Sequence, residues 1–337
     1  MSRLGEPFQL RELNLRNRIV MSPMCQYMVE AEDGIPTDWH FVHYSSRAIG
    51  GAGLIIFEAT AIEPDGRITN KDLGLWSDEQ IPHFRKIIDN LHRFGAKVAV
   101  QIAHAGRKAQ DAAPPVSPSP IPFGEGYRTP RELATEEVRA LADKYAQAAR
   151  RAVEAGADAV ELHGAHGYLI HQFHSALTNR RTDEYGKDRT RFAAEAIRAI
   201  KAVLPEGMPL LMRISAVEYA EGGYGVEDAI AFCRVYRDAG VDLFDVSSGG
   251  EHPKGAPRPY PGYQVPYARA IREHLGVPVI AVGLLDNPAL AEHVLASGSA
   301  DLVAVGRGML RNPYWAIDAL RALGDPAPVV KPYLRGY

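Results

Sequence analysis

Two stretches of the sequence show how the chain is built: EAGADAVELH at Glu154–His163 and DAGVDLFDVS at Asp238–Ser247. Each starts at the end of a helical pattern, turns at a glycine and continues as a short apolar run. Glycine accepts the left-handed backbone conformation that closes a helix, and short apolar runs are typical of buried parallel strands. Both stretches therefore predict a helix that leads into a strand of a parallel sheet.

The same unit recurs along all 337 residues. The predicted strands are Arg18–Met21, Gly53–Glu58, Lys97–Ile102, Ala159–Leu162, Leu210–Ile214, Leu243–Val246, Val279–Val282 and Leu302–Val305. The predicted helices are Asp38–Ile49, Gln80–Phe94, Thr135–Ala155, Arg191–Val203, Val226–Ala239, Pro266–Leu275, Pro288–Ala296 and Pro313–Leu323. Eight strands alternating with eight helices predict one domain over residues 1–337, a single (β/α)8 TIM barrel.

Features outside the repeat support the barrel over an open, doubly wound sheet. The first strand runs into SPMCQY (Ser22–Tyr27), whereas a doubly wound sheet usually has a glycine-rich dinucleotide loop there. Phe8–Leu15 is predicted to form a hairpin that closes the bottom of the barrel. Ala105–Arg131 is rich in Pro and Gly, and its length predicts a lid over the opposite, C-terminal end of the strands.

Composition limits the classes of function and the compartment. The net charge of −3 gives no reason to expect a nucleic acid or an anionic membrane as partner. Cys25 and Cys233 are the two cysteines, which argues against a disulfide framework and excludes a four-cysteine iron–sulfur cluster. No run of about 18 apolar residues is present, and the first residues lack the apolar core of a signal peptide. We therefore expect a cytoplasmic protein without a membrane span.

Polar side chains and glycines gather where the predicted strands end, which is where TIM barrels place their active sites. The residues that we single out in or after the last part of a strand are Ser22, Cys25, Tyr27, Ala59, Gln101, His163, His166, Tyr168, Arg213, Gly283, Gly306 and Arg307. The glycines after the seventh and eighth strands, together with Arg307, predict a phosphate site, because backbone N–H groups and a guanidinium both bind that group.

The segment HGAHGYLIHQFH at His163–His174 has two interpretations. A metal site would make the chain a metal-dependent TIM-barrel lyase or hydrolase using His163 and His166, with Glu161 as a weak third ligand. The alternative is a pair of imidazole donors that grip a substrate oxygen, with Tyr168 beside them. We favour the second interpretation and expect no bound metal, because H-x-x-H in a glycine-containing loop lacks the helical spacing of H-E-x-x-H.

At these residues the sequence resembles the Old Yellow Enzyme family, in particular its thermophilic-like, cysteine-containing class of FMN-dependent NADPH dehydrogenases, or ene-reductases. The resemblance covers nearly the whole chain. Its motifs are SPMCQY (22–27), TDWHFVHYSSRA (37–48), QIAHAGRKA (101–109), HGAHGYLIHQF (163–173), MRISA (212–216), VSSGG (246–250), PGYQVPYA (261–268), VGRGMLRNP (305–313) and YLRGY (333–337).

The resemblance implies bound FMN and a hydride donor, NADPH or NADH, that reduces activated C=C bonds of enones, maleimides, nitroalkenes or quinones in a ping-pong reaction through N5 of the flavin. It implies roles for individual residues. Those that would contact FMN are Ser22, Pro23, Met24, Cys25, Ala59, Gln101, Arg213, Gly283, Gly306 and Arg307. His163 and His166 would bind the substrate oxygen, Tyr168 would donate the proton and Cys25 would tune the flavin.

The resemblance also implies a homo-oligomer, either a dimer or a tetramer, that acts on a small molecule. Tyr27 would line the substrate pocket. Arg335, in a tail of about residues 325–337, would reach into the site of a neighbouring subunit.

Overall fold

The computed structural model describes residues 1–255 and 258–337, and its centre is a closed parallel barrel. The barrel strands are β1 Ile19–Met21, β2 Leu54–Ala61, β3 Lys97–Ala103, β4 Ala159–Gly164, β5 Leu210–Ser215, β6 Leu243–Ser247, β7 Val279–Val282 and β8 Leu302–Val305. Each strand pairs with its neighbours in chain order, and β8 returns to β1 with Val303 opposite Ile19. The predicted (β/α)8 barrel is confirmed.

Each strand is followed along the chain by one of eight helices, which lie on the outside of the barrel. They are α1 Asp38–Ile49, α2 Ile81–Arg93, α3 Thr135–Glu154, α4 Arg191–Val203, α5 Val226–Ala239, α6 Val265–Leu275, α7 Pro288–Ala296 and α8 Trp315–Ala322. Short helices also occur at Leu169–His174, Glu184–Lys187 and Arg307–Arg311. Among the described residues, no helix combines the length and apolar character needed to cross a lipid bilayer.

The predicted hairpin closes the bottom of the barrel. Phe8–Leu10 pairs antiparallel with Leu13–Leu15. Leu13 and Leu15 are buried against the lowest ring of inward-facing barrel side chains, which includes Leu54. The hairpin therefore seals the apolar end of the barrel and leaves the opposite end for the polar groups.

Several strands extend beyond their predicted ends, which moves site residues from loops onto strands. β2 runs to Ala61 because its pairing with β3 resumes after an irregularity between Phe57 and Thr60. β4 likewise includes His163, and β6 includes Ser247. Hydrogen bonding to a neighbouring strand continues past the apolar run from which the sequence prediction was made. The last helix begins at Trp315 rather than Pro313.

The segment Ala105–Arg131 lies over the C-terminal end of the strands, as its position predicts. It begins with a 3-10 helix, Gly106–Lys108, and contains the short strand Val116–Ser117, which pairs with Arg131–Glu132. Arg107 ties it together, because its guanidinium donates to the carbonyls of Ile121 and Pro122 and to Glu251 in the loop after β6. We call residues 105–131 the lid.

Candidate active site

The segment Ser22–Tyr27 after β1 is fixed by a buried carboxylate. The backbone N–H of Gln26 donates to Glu58 at 2.8 Å, and the hydroxyl of Tyr44 donates to the other oxygen of Glu58 at 2.7 Å. Tyr27 has a positive φ of 54°, a conformation that side chains rarely adopt and that surrounding structure must enforce. The segment is therefore held rigidly, and it presents Cys25 to the cleft.

Cys25 faces the cleft beside Tyr168. Both side chains pack against a small apolar cluster formed by residues such as Ile68 and Ala105. Burial, with Asp72 and Glu58 nearby, raises the pKa of the Cys25 thiol well above its usual value. The sulfur is consequently a neutral thiol at physiological pH and is not a thiolate nucleophile.

The turn after β4 brings His163, His166 and Tyr168 together. The ring centroids of the two histidines are 5.5 Å apart, and those of His163 and Tyr168 are 4.9 Å apart. His166 has a φ of 58°, its N–H donates to Ser215 Oγ, and its Nε2 lies 2.7 Å from Ser247 Oγ. These contacts set the direction of each ring in the cleft.

The site suppresses the charged forms of its titratable side chains. Burial first, and then the Arg213 guanidinium, lower the pKa values of His163 and His166 well below 6.5. Burial raises the pKa of Tyr168 well above 10. At physiological pH the turn therefore presents two neutral imidazoles and a protonated phenol, which are all able to donate hydrogen bonds.

A cavity of about 160 Å³ opens at the ends of β7 and β8, where the sequence predicts a phosphate site. Its lining includes Arg213, Ser247, Tyr263, Gln264, Gly283, Gly306 and Arg307. Gly283 has a φ of +133°, and a side chain there would meet the Tyr263 ring at 3.2 Å. Gly306 lies against Met24 and Ser22, so the cavity continues toward the segment after β1.

The lining of this cavity fits the FMN that the resemblance implies. Two guanidinium groups, those of Arg213 and Arg307, suit an anionic ligand, and the glycine backbones allow a close approach. Arg213 Nε is buried and, among the described residues, makes no hydrogen bond, although it lies 3.2 Å from Asp245. A cation with an unused donor beside a cavity is the arrangement expected for a ligand that brings its own acceptors.

A polar layer inside the barrel lies below Arg213. Gln101 donates to Glu161 at 2.7 Å across β3 and β4, and Arg213 pairs with Asp245 across β5 and β6. Burial first, and then Asp245, raise the pKa of Glu161 to about 8, so this carboxyl is largely protonated at neutral pH. Gln101 is thus buried at the floor of the site, and Asp245 is a neighbour that the sequence prediction missed.

Most of the predicted site residues are brought to one end of the barrel. Ala59 lines a second, much smaller cavity together with Tyr168 and Asp72. Pro23 lies between Ser22 and Met24 in the segment that borders Gly306. Arg335 is the exception, because it lies in an exposed turn, Lys331–Gly336, whose neighbours Tyr333 and Tyr337 pack against Tyr314 and Arg321.

Sequence reasoning missed several residues that shape the cleft. Lys108 contacts Tyr168 from the lid, Asp72 approaches it from the loop after β2, and Gln264 bonds to both Ser247 and Ser248. Lys108 lies in the motif QIAHAGRKA and Gln264 lies in PGYQVPYA, so the sequence did contain a signal that could have selected both residues. The roles of these two residues could not be predicted from the sequence, because their contacts form between loops that are far apart in the chain.

The histidine segment does not form the metal site that was considered as an alternative. Within residues 1–255 and 258–337, the one group of His, Cys, Asp and Glu side chains close enough to share an ion is His171, Glu218 and Glu251. His171 bonds to Glu218 and Arg107 bonds to one oxygen of Glu251, while the other Glu251 oxygen is buried and makes no hydrogen bond among the described residues. Glu161 is engaged with Gln101 instead of joining His163 and His166.

Comparisons with known proteins agree with this geometry. Residues 3–324 match the NADH:flavin oxidoreductase / NADH oxidase family. An NADPH dehydrogenase of Listeria monocytogenes (serotype 4a, strain HCC23) is 48% identical over 100% of both chains. One of Geobacillus sp. (strain WCH70) is 45% identical and covers 99% of this chain and 98% of its own. Morphinone reductase has a TM-score of 0.81 at 29% identity, over 97% of this chain and 91% of its own.

Proposed function

Because the chain belongs to the NADH:flavin oxidoreductase / NADH oxidase family, in which FMN is the cofactor and NAD(P)H the hydride donor, we propose that it reduces C=C bonds activated by a carbonyl or nitro group. The enone, maleimide, nitroalkene and quinone classes all carry such an acceptor oxygen. The observation that carries the proposal is the convergence of His163, His166 and Tyr168, three neutral donors, beside a cavity that fits FMN.

Residues of the cavity would hold the cofactor in this proposal. Gly283, Gly306 and Arg307 would bind its phosphate, and Arg213 would face the pyrimidine side of the ring. The ring would lie along Ser22, Pro23, Met24 and Cys25, with Ala59 and Gln101 completing its surroundings. When bound, FMN supplies a carrier that accepts a hydride from NAD(P)H and passes it to the alkene.

The histidines would bind the oxygen of the substrate. Nδ1 of His163 accepts from the backbone N–H of Ala165, so a neutral ring carries its proton on Nε2, where it is available for donation. Nε2 of His166 lies 2.7 Å from Oγ of Ser247, whose hydroxyl donates to Oε1 of Gln264; a proton on Nδ1 of His166 would therefore require the Ser247 hydroxyl to exchange Gln264 for Nε2 as its acceptor. Two such donors would stabilise the negative charge that develops on the oxygen as the alkene is reduced.

Tyr168 would supply the proton. Its raised pKa keeps the phenol protonated over the working pH range, and its position next to His163 supports this role, because a substrate oxygen bound by His163 would lie close to the phenol. Tyr27 would line the same pocket and contact the substrate. The complete reaction would then add a hydride to one alkene carbon and the phenolic proton to the other.

The test separates the two half-reactions by the visible absorption of FMN under anaerobic conditions. NADPH should bleach the yellow protein, and cyclohexenone should restore the colour. Tyr168→Phe should slow the recovery by roughly 10²–10⁴-fold, the usual contribution of a positioned proton donor, and leave the bleaching step nearly unchanged.

Tyr145→Phe is the matched control, because it removes a buried hydroxyl that has no hydrogen-bond partner among the described residues. It should behave as the wild type in both steps. Equal losses in both half-reactions of Tyr168→Phe would contradict the proton-donor role, and a protein that NADPH bleaches but no activated alkene reoxidises would contradict the proposed substrate class.

We also propose a homo-oligomer in which Arg335 acts on the site of a neighbouring subunit. The support is that Arg335 lies in an exposed turn at the end of the chain, outside the cleft of its own barrel.

A further inference from the structure

Lys108 lies at the contact between the lid and the turn that carries Tyr168. Its ammonium group donates to the carbonyls of His166, at 2.9 Å, and Gly250, at 3.3 Å. The same nitrogen lies 4.8 Å from the centroid of the Tyr168 ring and 4.3 Å from that of Phe123 in the lid. One cation thus joins three loops and touches the face of the proposed proton donor.

The surroundings of Tyr168 create an electrostatic problem for a proton donor. Once the proton has left, a phenolate remains, and burial opposes that charge. The titratable neighbours Cys25, Tyr27 and Asp72 oppose it further, because each also raises the pKa of Tyr168. The cation in contact with the ring is Lys108, and the attraction of an ammonium to the ring strengthens when the ring becomes an anion.

We propose that Lys108 is a positioning residue for Tyr168: it fixes the turn that carries the phenol and stabilises the phenolate left by proton transfer. The inference rests on the proposed function. In that step the O–H bond of Tyr168 breaks and a C–H bond forms at the substrate carbon next to the activating group. The negative charge passes from the substrate to the phenolic oxygen, which then takes a proton from solvent.

The charge of Lys108 is expected to change within an accessible pH range. Burial lowers its pKa to about 8, Arg107 adds to the effect, and Glu251 opposes it. Lys108 is therefore a cation below about pH 8 and loses its charge as the pH rises further. The charged and titratable groups around it and Tyr168 are Arg107, Glu251, Cys25, Tyr27, Asp72, Tyr127, His163, His166 and His171.

Asp72 is the group in that set whose titration needs to be separated from that of Lys108. Burial raises its pKa to about 7, so it titrates on the acid side of Lys108. The pKa values of His163 and His166 are lowered and that of Cys25 is raised, which removes them from the range between pH 7.5 and 9. A fall in rate near pH 8 that disappears on replacing Lys108 is then assigned to Lys108.

The first experiment measures reoxidation of the NADPH-reduced holoenzyme by cyclohexenone against pH. For Lys108→Met we expect a rate roughly ten- to a hundredfold lower at pH 7 and no fall near pH 8, whereas bleaching by NADPH changes little. Lys108→Arg keeps a cation at every pH, so it should retain most of the rate and lose the fall near pH 8. Lys187→Met, which replaces an exposed lysine far from the cleft, is the control.

A double-mutant cycle tests whether Lys108 acts through Tyr168. In the Tyr168→Phe background no phenolate forms, so Lys108→Met should cause little further loss. A full additional loss would overturn the inference and leave the proposed function intact. If Tyr168→Phe alone has no effect on reoxidation, the proposed function fails and the inference fails with it.

A further experiment, which does not depend on activity, measures the pKa of the Lys108 amine directly. Competitive acetylation of the FMN-loaded protein at several pH values, with quantification of the peptide that contains Lys108, gives the pKa of this amine. A value near 8 that is unchanged in Tyr168→Phe supports the inference. A value at or above 10, the range of an exposed lysine, would overturn it, because the ammonium would then be solvated instead of held against the ring.

Discussion

At the scale of single residues, the candidate site separates the groups that carry charge from the groups that donate protons. Cys25, His163, His166 and Tyr168 are all held in their uncharged forms, and burial is the largest cause for each. The positive charge comes from Arg213 and Arg307, which line the neighbouring cavity, and from Lys108 of the lid. A neutral donor does not need to release a bound anion before each turnover, which suits the carbonyl and nitro oxygens of the proposed substrates.

The state of the Cys25 thiol leads to a prediction about its reactivity. The raised pKa means that the thiolate fraction stays small until the pH is well above 9. Iodoacetamide should therefore modify Cys25 at pH 8 more than roughly tenfold more slowly than it modifies free cysteine, although the side chain faces a cleft. Mass spectrometry of the modified peptides measures the rate.

Cys233 provides the internal comparison. It is fully buried on α5, so its modification should report only global unfolding. Fast alkylation of Cys25 at pH 7 in the folded protein would contradict the neutral-thiol assignment.

The identities of the site residues were easier to predict from the sequence than their protonation states and contacts. His163, Tyr168 and Cys25 could be selected because each is a reactive side chain at the end of an apolar run, and strand ends converge in a barrel. The tautomer of His163, which depends on the N–H of Ala165, was not readable from the sequence. The same is true of Lys108, because its partners come from two other loops.

At the scale of elements, the loops after β3, β4 and β6 form one interlocked unit. Arg107 of the β3 loop donates to the side chain and the carbonyl of Glu251 in the β6 loop, and both side chains are almost fully buried. Gly167 of the β4 loop packs so closely against Gly250 that an added side chain would lie 2.3 Å from the Gly250 carbonyl oxygen. The lid and the turn that carries Tyr168 are thus both in contact with the β6 loop, the lid through Arg107 and the turn through the backbone of Gly167.

This interlocking predicts that the Arg107–Glu251 pair stabilises the protein strongly. Arg107→Met leaves a buried carboxylate without its partner, and the expected loss is about 3–5 kcal/mol of the free energy of unfolding. The melting temperature of the FMN-loaded variant measures the change. Glu251→Gln added to Arg107→Met removes the orphaned charge and should recover part of the loss.

An exposed ion pair is the control for this prediction. Arg269 and Glu273 pair across one turn of α6, and both are more than half exposed, so Arg269→Met should cost less than about 1 kcal/mol. If Arg107→Met is as mild as Arg269→Met, the buried pair does not hold the lid. If Arg107→Met is strongly destabilising and Glu251→Gln recovers none of the loss, the stabilisation comes from packing and not from the charges.

The elements themselves followed from the sequence because their pattern is local. Four of the eight helices, α1, α4, α5 and α7, begin and end where the spacing of apolar residues and glycines predicts. β2 is longer than predicted because a register shift next to Glu58 lets its pairing continue to Ala61. A register shift depends on the partner strand, and a partner strand does not show in the pattern of a single segment.

At the scale of the whole molecule, the barrel has an end sealed by the hairpin, an end that carries the candidate site, and several exposed apolar side chains that belong to neither end. The final turn, Lys331–Gly336, and the residue after it contain Tyr333, Leu334 and Tyr337, each more than 40% exposed. On α1, Trp39 and Val42 are also exposed, and Trp39 donates to Gln26 beside Tyr27. These exposed apolar side chains support the homo-oligomer proposed above, in which a second copy of this chain is the partner.

Subunit complementation tests the shared site more sharply than truncation does. Arg335→Ala and Tyr168→Phe should each lower the rate of alkene reduction when every subunit carries the change. In a mixed dimer, prepared by co-expression with two different tags, a site with its own Tyr168 would receive Arg335 from the partner and would be fully active. The other site would carry both defects, so the mixed dimer should regain about half of the wild-type rate.

If Arg335 acted on its own barrel, each site of the mixed dimer would keep one defect, and the rate would lie between those of the two variants. A monomer in light scattering would exclude the shared site altogether. Arg198→Ala, which replaces an exposed arginine on α4, should match the wild type in every assay. Deleting residues 331–337 should reproduce Arg335→Ala and retain FMN, because none of these residues is buried and the core of the barrel does not depend on them.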